Sequence, residues 1–571
     1  MSVDLILLHP PSVYDFRQKT ILYGPISDLI PSSPIFEMYP IGFASISEYL
    51  ENAGYHVRIV NLALRMMNSP NFNAEKMIKR LSSPVFGIDL HWLPQVHGAI
   101  EIARLVKRYH PKAKIVMGGL SASYYYRELL QYPEIDFVLR GDSTEEPLRL
   151  LMDCIKNGNK PAGVPNLAWQ AAQGGINETP LSYVPADFGG AMFRHYDNVI
   201  RSVIRYLDLT SYVPFKGWLT YPITAVLTCR GCTQNCAFCG GSAAAFRLIC
   251  NRNRPAYRSP EDVIRDVDRI RRFASGPIFI LGDIRQPGMD YADRLLSLLR
   301  KQRIKNQLIL ELFSPASKEF LTQMGNACPA LCLEISPESH DPEVRNAIGK
   351  HYSNEALEET VGYALDAGCQ RLDLYFMIGL PKQTQESVMD TIEYCGYLLD
   401  KFGGDKRLSP FISPLAPFLD PGSLAFENPE KYGYRILFRT LEEHRQALLA
   451  PSWKYTLNYE TEWMNREQIV ASTYEAGRRL NQLKAKHGLV SNKVAQATER
   501  RINMALEMLH RIDDVVAQSS SLELDEKLSS LKAVVNEVSM STVCEKTELR
   551  LPTPFIKLRL AQALWSLVTR R

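Results

Sequence analysis

The chain has 571 residues, more than the roughly 250–300 residues at which one hydrophobic core stops growing, so several domains are expected. Hydrophobic residues make up 46% and charged residues 22% of the sequence, and this near-average composition excludes disordered, collagen-like and coiled-coil proteins. The net charge is only +4, from 66 Lys and Arg against 62 Asp and Glu, which argues against a nucleic-acid binder.

The sequence also bears on location and on cysteine chemistry. It contains no apolar run of the roughly 18–20 residues that span a bilayer, and no basic segment precedes its short N-terminal apolar run, so we expect a cytoplasmic protein without a membrane span. Eleven cysteines, an odd number, fit reduced thiols or metal ligands better than a disulfide framework. Four of them lie between positions 229 and 239.

The first 150 residues alternate between short β-rich runs and helical stretches. Strands are predicted at 4–8, 57–60, 85–88, 114–117 and 137–139, and helices at 41–53 and 96–109. This alternation predicts an α/β domain over residues 1–150 with a parallel, doubly wound, Rossmann-like sheet. Ligands of such sheets bind at the carboxyl ends of the strands.

The rest of the chain divides into three further segments. Residues 151–220 contain Gly, Pro and Asn breaks and are predicted to be a connector. Residues 221–428 alternate again and predict a partial (β/α)6-type barrel, with strands near 221–227, 277–281, 308–313, 330–335, 371–378 and 409–413 and helices near 260–273 and 354–367. Residues 429–571 are predicted to be mainly helical, with an amphipathic end at 554–571 that is expected to pack on the body of the protein.

The cysteine-rich segment reads Cys229-Arg-Gly-Cys232-Thr-Gln-Asn-Cys236-Ala-Phe-Cys239. Structural zinc sites separate their two cysteine pairs by a longer arm than the three residues present here, so that the tetrahedron can close. The ferredoxin-type order of spacings is also absent, and Gly240 stands where its proline is expected. Zinc and ferredoxin sites are therefore the weaker alternatives.

The subset Cys232-x3-Cys236-x2-Cys239, which contains Phe238 and follows a predicted strand, resembles the signature of the radical S-adenosylmethionine (SAM) family. The resemblance implies that these three thiolates bind a [4Fe-4S] cluster and leave one iron open. In that family SAM occupies the open iron, and the reduced cluster cleaves it to give a 5′-deoxyadenosyl radical. Cys229 is then a structural or a substrate-side thiol.

Further residues match positions at which that family binds SAM, in the same order along the chain. They are Gly282 and Asp283 for the methionine ammonium, with Asp in place of the family's Glu; Glu338 and Ser339 for the ribose or the carboxylate; Arg345 for a carboxylate; and Ile378 and Gly379 for the adenine. Glu311, Glu334 and Asp373 lie on predicted barrel strands, where they are placed to orient a substrate.

A doubly wound sheet ahead of a radical SAM core resembles the cobalamin-binding domain of B12-dependent radical SAM enzymes, as in the class B methyltransferases. Glycines at strand ends let the backbone approach a bulky ligand, which suits the nucleotide tail of cobalamin. A Gly-rich turn of any nucleotide-binding fold is the alternative. The residues that carry the resemblance are Pro10, Asp89, His91, Trp92, Gly118, Gly119, Ser121, Ala122, Arg140, Gly141 and Asp142.

Asp89-Leu-His91 keeps the start of the Asp-x-His-x-x-Gly cobalamin motif, but Pro94 stands at its sixth position. The resemblance implies that His91 or Trp92 faces the lower side of the corrin. An imidazole would ligate cobalt, whereas an indole would only cover it and leave a lower coordination number that favours methyl transfer. A core-packed Trp92 with a surface His91 is the further alternative, and the sequence does not decide among them.

The combined resemblance implies a cobalamin-dependent radical SAM C-methyltransferase, which moves a methyl group from methylcobalamin to an unactivated sp3 carbon after hydrogen abstraction. The acceptor is a peptide or protein residue, with a glutamine α-carbon as one option, or a small metabolite, and an external electron donor reduces the cluster. Two other functions are open: an oxidative or ring-forming B12-dependent radical SAM enzyme, and a non-catalytic cobalamin or iron-sulfur sensor.

Overall fold

A computed structural model describes residues 3–25, 33–171, 174–187, 196–414, 418–519, 521–538 and 543–551. The amphipathic end at 554–571 and part of the predicted connector lie outside these ranges. The described chain forms two largely parallel sheets with flanking helices, followed by long C-terminal helices. In these ranges we find no helical segment with the length and apolarity that a bilayer crossing requires.

The first sheet contains β1 (Leu5–His9), β2 (Val57–Asn61), β3 (Val85–Asp89), β4 (Lys114–Gly118), β5 (Phe137–Leu139), β6 (Leu167–Gln170) and β7 (Ile176–Glu178). Within the described residues the strand order is β2-β1-β3-β4-β5-β6-β7, and β1 to β5 are parallel. The order therefore reverses between β1 and β3, which is the point where ligands of doubly wound sheets bind.

The helices of this half are α1 (Gly42–Asn52), α2 (Leu62–Asn68), α3 (Ala74–Arg80), α4 (Val96–Tyr109), α5 (Leu120–Tyr124), α6 (Tyr126–Leu129), α7 (Glu145–Asn157) and α8 (Tyr196–Tyr206). Helix α4 has the bounds that the sequence predicted, because Val96, Ile100 and Ala103 recur on one face and are buried. Apolar cores lie on both faces of the sheet. The predicted doubly wound architecture is confirmed.

The first sheet extends beyond residue 150, where the sequence analysis ended the first domain. Helix α7 crosses that position, and β6 and β7 form an antiparallel hairpin inside the predicted connector. Trp169 pairs with Phe137 of β5, and the hairpin turn contains Gly174 and Gly175, both with positive φ. Strands of four and three residues carry too little alternation to be recognised as a continuation of the sheet.

The second sheet contains β8 (Thr224–Leu227), β11 (Ile278–Leu281), β12 (Leu308–Leu312), β13 (Leu331–Glu338), β14 (Arg371–Ile378) and β15 (Leu408–Pro414), whereas β9 (Cys229–Arg230) and β10 (Ala256–Tyr257) form a separate antiparallel pair. In the described part of the chain the six strands are parallel and ordered β15-β14-β13-β12-β11-β8. The end strands β8 and β15 do not pair, so the barrel is partial, as predicted.

The helices of the barrel are α9 (Ala243–Cys250), α10 (Pro260–Phe273), α11 (Met289–Gln302), α12 (Lys318–Ala327), α13 (Pro342–Ala347), α14 (Asn354–Asp366) and α15 (Gln385–Lys401). Helix α10 begins where the sequence indicates, because the Ser259 side chain accepts a hydrogen bond from the Asp262 backbone and Pro260 occupies the first turn.

The C-terminal part contains α16 (Leu424–Glu427), α17 (Leu441–Ala447), α18 (Trp453–Thr456), α19 (Arg466–Lys486), α20 (Asn492–Gln518) and α21 (Ser521–Val538), with a hairpin of β16 (Tyr434–Ile436) and β17 (Tyr459–Thr461). Most of its buried side chains belong to the same apolar core as the barrel, whereas Leu441 and Leu448 pack in a core of the first sheet. Near the amino ends of the barrel strands, the Leu551 N–H donates to the Tyr221 hydroxyl (2.9 Å) and Arg371 donates to the Arg550 carbonyl (3.1 Å).

Candidate active site

The three predicted cluster cysteines lie in a loop between β9 and α9, beyond the carboxyl end of β8. All three thiols are free and partly exposed. The Gln234 N–H donates to Cys232 Sγ, and the Gly241 N–H donates to Cys239 Sγ, each at 3.3 Å. Backbone donors of this kind stabilise thiolates and tune the potential of iron-sulfur clusters.

Remote segments hold this cysteine loop in place. The Gly240 N–H donates to Asp420 Oδ2 (2.9 Å), the Ala425 N–H donates to the Ala237 carbonyl (2.8 Å), and the Thr233 N–H donates to Gln286 Oε1 (3.0 Å). Phe238 packs, half-buried, against the main core. Asp420 was not predicted as a site residue, because nothing in the sequence links it to a glycine 180 positions earlier.

The electrostatics of the thiols favour a cationic ligand. Burial raises the pKa of Cys232 to about 11, and it also raises the pKa of Cys236 and of Cys239. Positive charge at the site is therefore needed to hold all three as thiolates. In the described ranges no three His, Cys, Asp or Glu groups converge on one metal ion. Three cysteine thiolates on one short loop are the donor set of an iron-sulfur cube, in which each would bind a different iron.

Cys229 lies outside this loop, on β9, where it pairs with Tyr257 of β10. Its thiol contacts the Gly231 carbonyl (3.4 Å). A Cβ built on Gly282 would lie 3.5 Å from the Cys229 sulfur. Cys229 therefore borders the carboxyl end of β11, outside the loop that carries the three cysteines predicted to bind the cluster.

The structure changes the expectation for Asp283. Its carboxylate accepts hydrogen bonds from the Arg285 guanidinium (2.6 Å) and from the Phe313 N–H (2.9 Å), so it closes its own loop and is not free for a methionine ammonium. The acid that contacts Gly282 is Glu311 of β12, whose carboxylate accepts from the Gly282 N–H. Sequence adjacency pointed to Asp283 because the register of β12 against β11 is not visible in the sequence.

Glu338 and Ser339 lie at the carboxyl end of β13. Glu338 is buried, and its Oε1 forms an ion pair with Lys350 (2.7 Å). Its Oε2 has no hydrogen-bond partner among the residues that the structure describes, so one oxygen is available to a ligand. The Lys350 charge lowers the pKa of Cys236 against the larger effect of burial. The Ser339 hydroxyl is fully buried and accepts from the Asp341 N–H (3.1 Å).

Arg345, which was predicted to pair with a carboxylate, contacts backbone carbonyls among the residues that the structure describes. It is fully buried, and its guanidinium donates to the carbonyls of Ser339 and His340 (2.8 Å each) and of Tyr352 (3.1 Å). The two terminal nitrogens of this buried guanidinium bind three carbonyls and so fix the backbone after β13, while its Nε has no partner among the described residues.

Ile378 and Gly379 end β14. Ile378 is fully buried in the main core, so its side chain is a packing group. Gly379 has φ +95°, its N–H donates to Gln383 Oε1 (2.9 Å), and a Cβ there would lie 2.6 Å from the Tyr459 hydroxyl. Only glycine fits this turn. Gly379 is buried, and its carbonyl accepts a hydrogen bond from the Tyr434 hydroxyl (2.9 Å), so its backbone is engaged within the protein.

On the first sheet, the predicted cobalamin residues lie at or just after the carboxyl ends of β1, β3, β4 and β5. The Pro10 carbonyl, after β1, accepts from the Gln95 side chain (3.1 Å). Asp89, at the end of β3, forms a buried pair with His9 (3.0 Å), and the other ring nitrogen of His9 lies 2.7 Å from the Phe36 carbonyl. Asp89 therefore orients His9 and does not orient His91, its neighbour in the Asp-x-His motif.

The Gly-Gly loop after β4 packs on the loop after β3. A Cβ on Gly119, which has φ +120°, would lie 2.6 Å from His91 Cα. The Leu90 N–H donates to the Gly118 carbonyl (2.8 Å), Ser121 donates to the His91 carbonyl (3.1 Å), and the Ala122 N–H donates to the Leu90 carbonyl (3.0 Å). These glycines and small residues hold the His91 backbone in place.

His91 and Trp92 form the surface at this point. Their rings meet edge to face at 4.7 Å, and Phe36 lies 6.3 Å from Trp92. Burial lowers the pKa of His91, so the imidazole is neutral near pH 7. Its ring makes no hydrogen bond to any residue that the structure describes. A partly exposed aromatic surface at the switch point fits the flat, apolar face of a corrin.

The loop after β5 has a different use from the predicted one. Arg140 pairs with Glu178 of β7 (3.2 Å) and lies over the Tyr126 ring, so it ties the hairpin to the sheet. The Gly141 N–H donates to Ser123 Oγ (2.9 Å), and Asp142 is paired with Arg252. The side chains of Arg140 and Asp142 are therefore engaged within the protein and not free for cobalamin.

Comparison with known proteins agrees with both halves of the site. Residues 226–395 match the radical SAM superfamily, and residues 32–151 match the B12 binding domain. The chain therefore contains a radical SAM domain and a B12 binding domain. Its cofactors are a [4Fe-4S] cluster, SAM and cobalamin, as the sequence resemblance implied.

The chain is 25% identical to the hopanoid C-3 methylase of Methylococcus capsulatus over 289 residues. This match covers 50% of this chain and 50% of that protein. It is 24% identical over 403 residues to the cytidylyl-2-hydroxyethylphosphonate methyltransferase of Streptomyces wedmorensis, 64% of this chain and 73% of the relative. The chain thus spans half the length of the first of these relatives.

Solved structures share the fold of this B12-dependent radical SAM protein. The radical SAM methyltransferase TsrM from Kitasatospora setae superposes with a TM-score of 0.56 at 17% identity, covering 77% of this chain and 79% of that chain. The cobalamin-dependent SAM radical enzyme OxsB superposes with a TM-score of 0.51 at 14% identity, covering 94% of this chain and 72% of that chain.

Three carboxyl groups stand side by side on the inner face of the barrel. Glu311, Glu334 and Asp373 are register neighbours on β12, β13 and β14. Leu310 and Leu312 pack on the helix side, so Glu311 between them points inward. Burial raises the pKa of Glu311 to about 7, and burial with the neighbouring charges raises the pKa of Glu334 well above its usual range.

The raised pKa of Glu311 predicts a pH-dependent stability. Its folded-state pKa of about 7 exceeds the ordinary 4.5, so folding favours the neutral form, and wild-type stability falls as pH rises from about 4.5 to about 7 and levels off above that pH. In Glu311→Gln, the part of this pH-dependent loss of stability that Glu311 causes should be absent. Urea unfolding at pH values from about 4.5 to above 7 measures the free energy of unfolding over this window. Glu343→Gln, at a side chain that is 78% exposed, is the control. Equal pH dependence in wild type and Glu311→Gln would refute it.

Proposed function

We propose that this protein is a cobalamin-dependent radical SAM C-methyltransferase that acts on an unactivated sp3 carbon of a peptide residue, such as a glutamine α-carbon, or of a small metabolite. The observation that carries the proposal is the contact between the carboxyl ends of the two sheets. Helix α5, which follows β4, packs on α9, which follows the cysteine loop, through Tyr124, Ala245 and Ile249. The cysteine loop at the carboxyl end of the barrel sheet is therefore adjacent to the predicted cobalamin site at the carboxyl end of the first sheet.

When bound, the cluster and SAM supply a carbon-centred radical, and the cobalamin supplies the methyl group. The protein supplies the ligands, the distances and the exclusion of water. Cys232, Cys236 and Cys239 hold the cluster in a loop that Asp420 fixes at Gly240. Glu338 and Lys350, beside Cys236, offer a free carboxylate oxygen and a cation to the polar ends of SAM.

The inner face of the barrel supports a role in substrate orientation. A carboxyl group with a raised pKa, such as Glu311 or Glu334, can both donate and accept hydrogen bonds near neutral pH. At the opposite end of the barrel, the contacts of Leu551 with Tyr221 and of Arg371 with Arg550 restrict water entry. A substrate then enters from the side that faces the first sheet. An external electron donor reduces the cluster.

We expect His91 and Trp92 to cover the lower face of cobalamin without ligation. Metal-ligating histidines almost always have a second hydrogen-bonded partner that orients the ring, and Asp89 has that relation to His9. The electron paramagnetic resonance (EPR) spectrum of bound cob(II)alamin should show no axial nitrogen splitting and should be unchanged in His91→Ala. Splitting that disappears in His91→Ala would instead establish ligation.

The function is tested by anaerobic reconstitution with iron, sulfide and hydroxocobalamin, followed by incubation with methyl-labelled SAM, a low-potential reductant and peptide or metabolite fractions. We expect label in a product and 5′-deoxyadenosine in solution. Deoxyadenosine without methyl transfer would overturn the methyltransferase proposal in favour of an oxidative or ring-forming reaction. Absence of both would favour a sensor.

A further inference from the structure

Two arginines near the cysteine loop bind an acidic loop of the first sheet. Arg252, after α9, donates from Nε and Nη2 to both carboxylate oxygens of Asp142, with Nη2 3.0 Å from Oδ1. Its Nη1 donates to the Pro185 carbonyl (3.0 Å). The side chains of Arg252 and Asp142 are only 2% and 8% exposed, so this bidentate pair is buried between the two halves of the molecule.

A second pair lies beside the first. Arg230 Nη1 lies 3.2 Å from Glu145 Oε2, and these side chains are 12% and 4% exposed. The Ser143 hydroxyl accepts from Arg230 (3.0 Å) and from Arg252 (3.3 Å), and thus links the two pairs. Glu145 also accepts from Ser45 of α1 (2.9 Å), which ties the network into the first domain. We call Arg230, Arg252, Asp142, Ser143 and Glu145 the interdomain clamp.

The position of the interdomain clamp relates it to both cofactor sites. Asp142 and Ser143 follow β5 at the carboxyl edge of the first sheet, whereas Arg230 lies between Cys229 and the cluster ligand Cys232. Gly231 has φ +92°, and a Cβ there would lie 3.0 Å from Arg252 Cδ. The loop that carries the cluster ligands therefore starts at a residue bound directly to the cobalamin edge.

Buried ion pairs such as those of the interdomain clamp are better suited to fix the relative position of two segments than to stabilise the fold. The cost of desolvating buried ion pairs offsets most of their attraction, so they add little net stability, but they hold their partners in one geometry. Planar guanidinium groups that bind both oxygens of a carboxylate fix direction as well as distance, which a lysine ammonium does not. Misplacement of reacting groups by 1 Å can cost about 100-fold in rate.

We propose that Arg230 and Arg252 are positioning residues, and that the interdomain clamp sets the distance between the cluster loop and the cobalamin edge. The chemical meaning of this distance rests on the proposed methyl transfer, in which the substrate carbon lies between the two centres. The clamp itself touches neither substrate nor the reacting atoms. Loosening it should separate radical formation, which needs only the barrel, from methyl transfer, which needs both halves.

The test measures the distance directly. In the holoprotein with a reduced cluster and cob(II)alamin, pulsed EPR reports the separation of the two paramagnetic centres. We expect one narrow distance distribution in wild type and a broadened or shifted one in Arg252→Lys, which keeps the charge but loses the bidentate geometry. The matched control is Arg294→Lys, in an exposed pair with Glu261 (55% and 46% exposed). The same narrow distribution in Arg252→Lys would overturn the proposal.

A milder variant covers the case in which Arg252→Lys does not fold. Ser143→Ala removes the bridging hydroxyl without leaving a buried charge, and it should broaden the distribution in the same direction. As a second readout, both variants should keep 5′-deoxyadenosine formation from SAM, while methylated product falls by up to about 100-fold. Unchanged product yield with an unchanged distance would refute the clamp. The distance measurement needs no substrate, so its failure is distinguishable from failure of the methyltransferase proposal.

Discussion

Cys236→Ala is expected to abolish the cluster and, with it, cleavage of SAM. The alanine leaves one iron of the cube without its thiolate, and the two remaining cysteines, Cys232 and Cys239, cannot replace it because they hold other irons. Iron and sulfide content after anaerobic reconstitution should fall to background. Formation of 5′-deoxyadenosine should be lost as well, whereas cobalamin binding on the first sheet should persist.

Two control cysteines make this result specific. Cys154→Ala changes a partly exposed thiol in α7 of the first domain and should leave the cluster intact. Cys229→Ala should also keep the cluster, because this thiol lies on β9 and outside the three-cysteine loop. Full cluster content in Cys236→Ala, or its complete loss in Cys229→Ala, would contradict the assignment of the ligands.

Gly119→Val is expected to abolish cobalamin binding while the barrel stays loaded with its cluster. A side chain at this position would lie 2.5 Å from the Leu90 carbonyl oxygen and 2.6 Å from His91 Cα, so the loop after β3 must move. The φ of +120° adds backbone strain, for which about 1–3 kcal/mol is usual. Absorbance titration with hydroxocobalamin and urea unfolding of the same samples measure both effects.

The matched control is Gly163→Ala, because a Cβ on Gly163 meets nothing within 4 Å and should change neither measurement. If Gly119→Val does not fold, Gly119→Ala carries the same test, since its Cβ meets the same backbone atoms. Wild-type affinity for cobalamin in either Gly119 variant would show that the loop after β3 does not contribute to the cofactor site.

Much of the fold follows from local sequence patterns. Strongly periodic segments formed at their predicted positions, as shown by α4 at Val96–Tyr109, α10 at Pro260–Phe273 and β14 at Arg371–Ile378. The hairpin of β6 and β7 was missed because its strands are short and gain their stability by pairing with Phe137–Leu139. Such pairing is a tertiary effect, which alternation within a few residues does not reveal.

The three cysteines predicted to bind the cluster could be found in the sequence because cysteines at fixed spacing are a local feature. The partners of the other predicted site residues were not. Asp283 and Arg345 carry the charges expected for SAM contacts, yet the structure pairs them with Arg285 and with backbone carbonyls. Asp142 was expected to contact cobalamin, but its partner Arg252 lies 110 positions away. Charged residues in loops acquire their role from neighbours that only the fold brings together.

The most direct test of the account is the response of the reconstituted cluster to SAM. Under argon, the wild-type protein should bind a full [4Fe-4S] cluster together with one equivalent of cobalamin per chain, and SAM should alter the EPR spectrum of the reduced cluster because one iron has an open position. A colourless preparation that contains zinc, or a cluster whose spectrum is unchanged by saturating SAM, would contradict it.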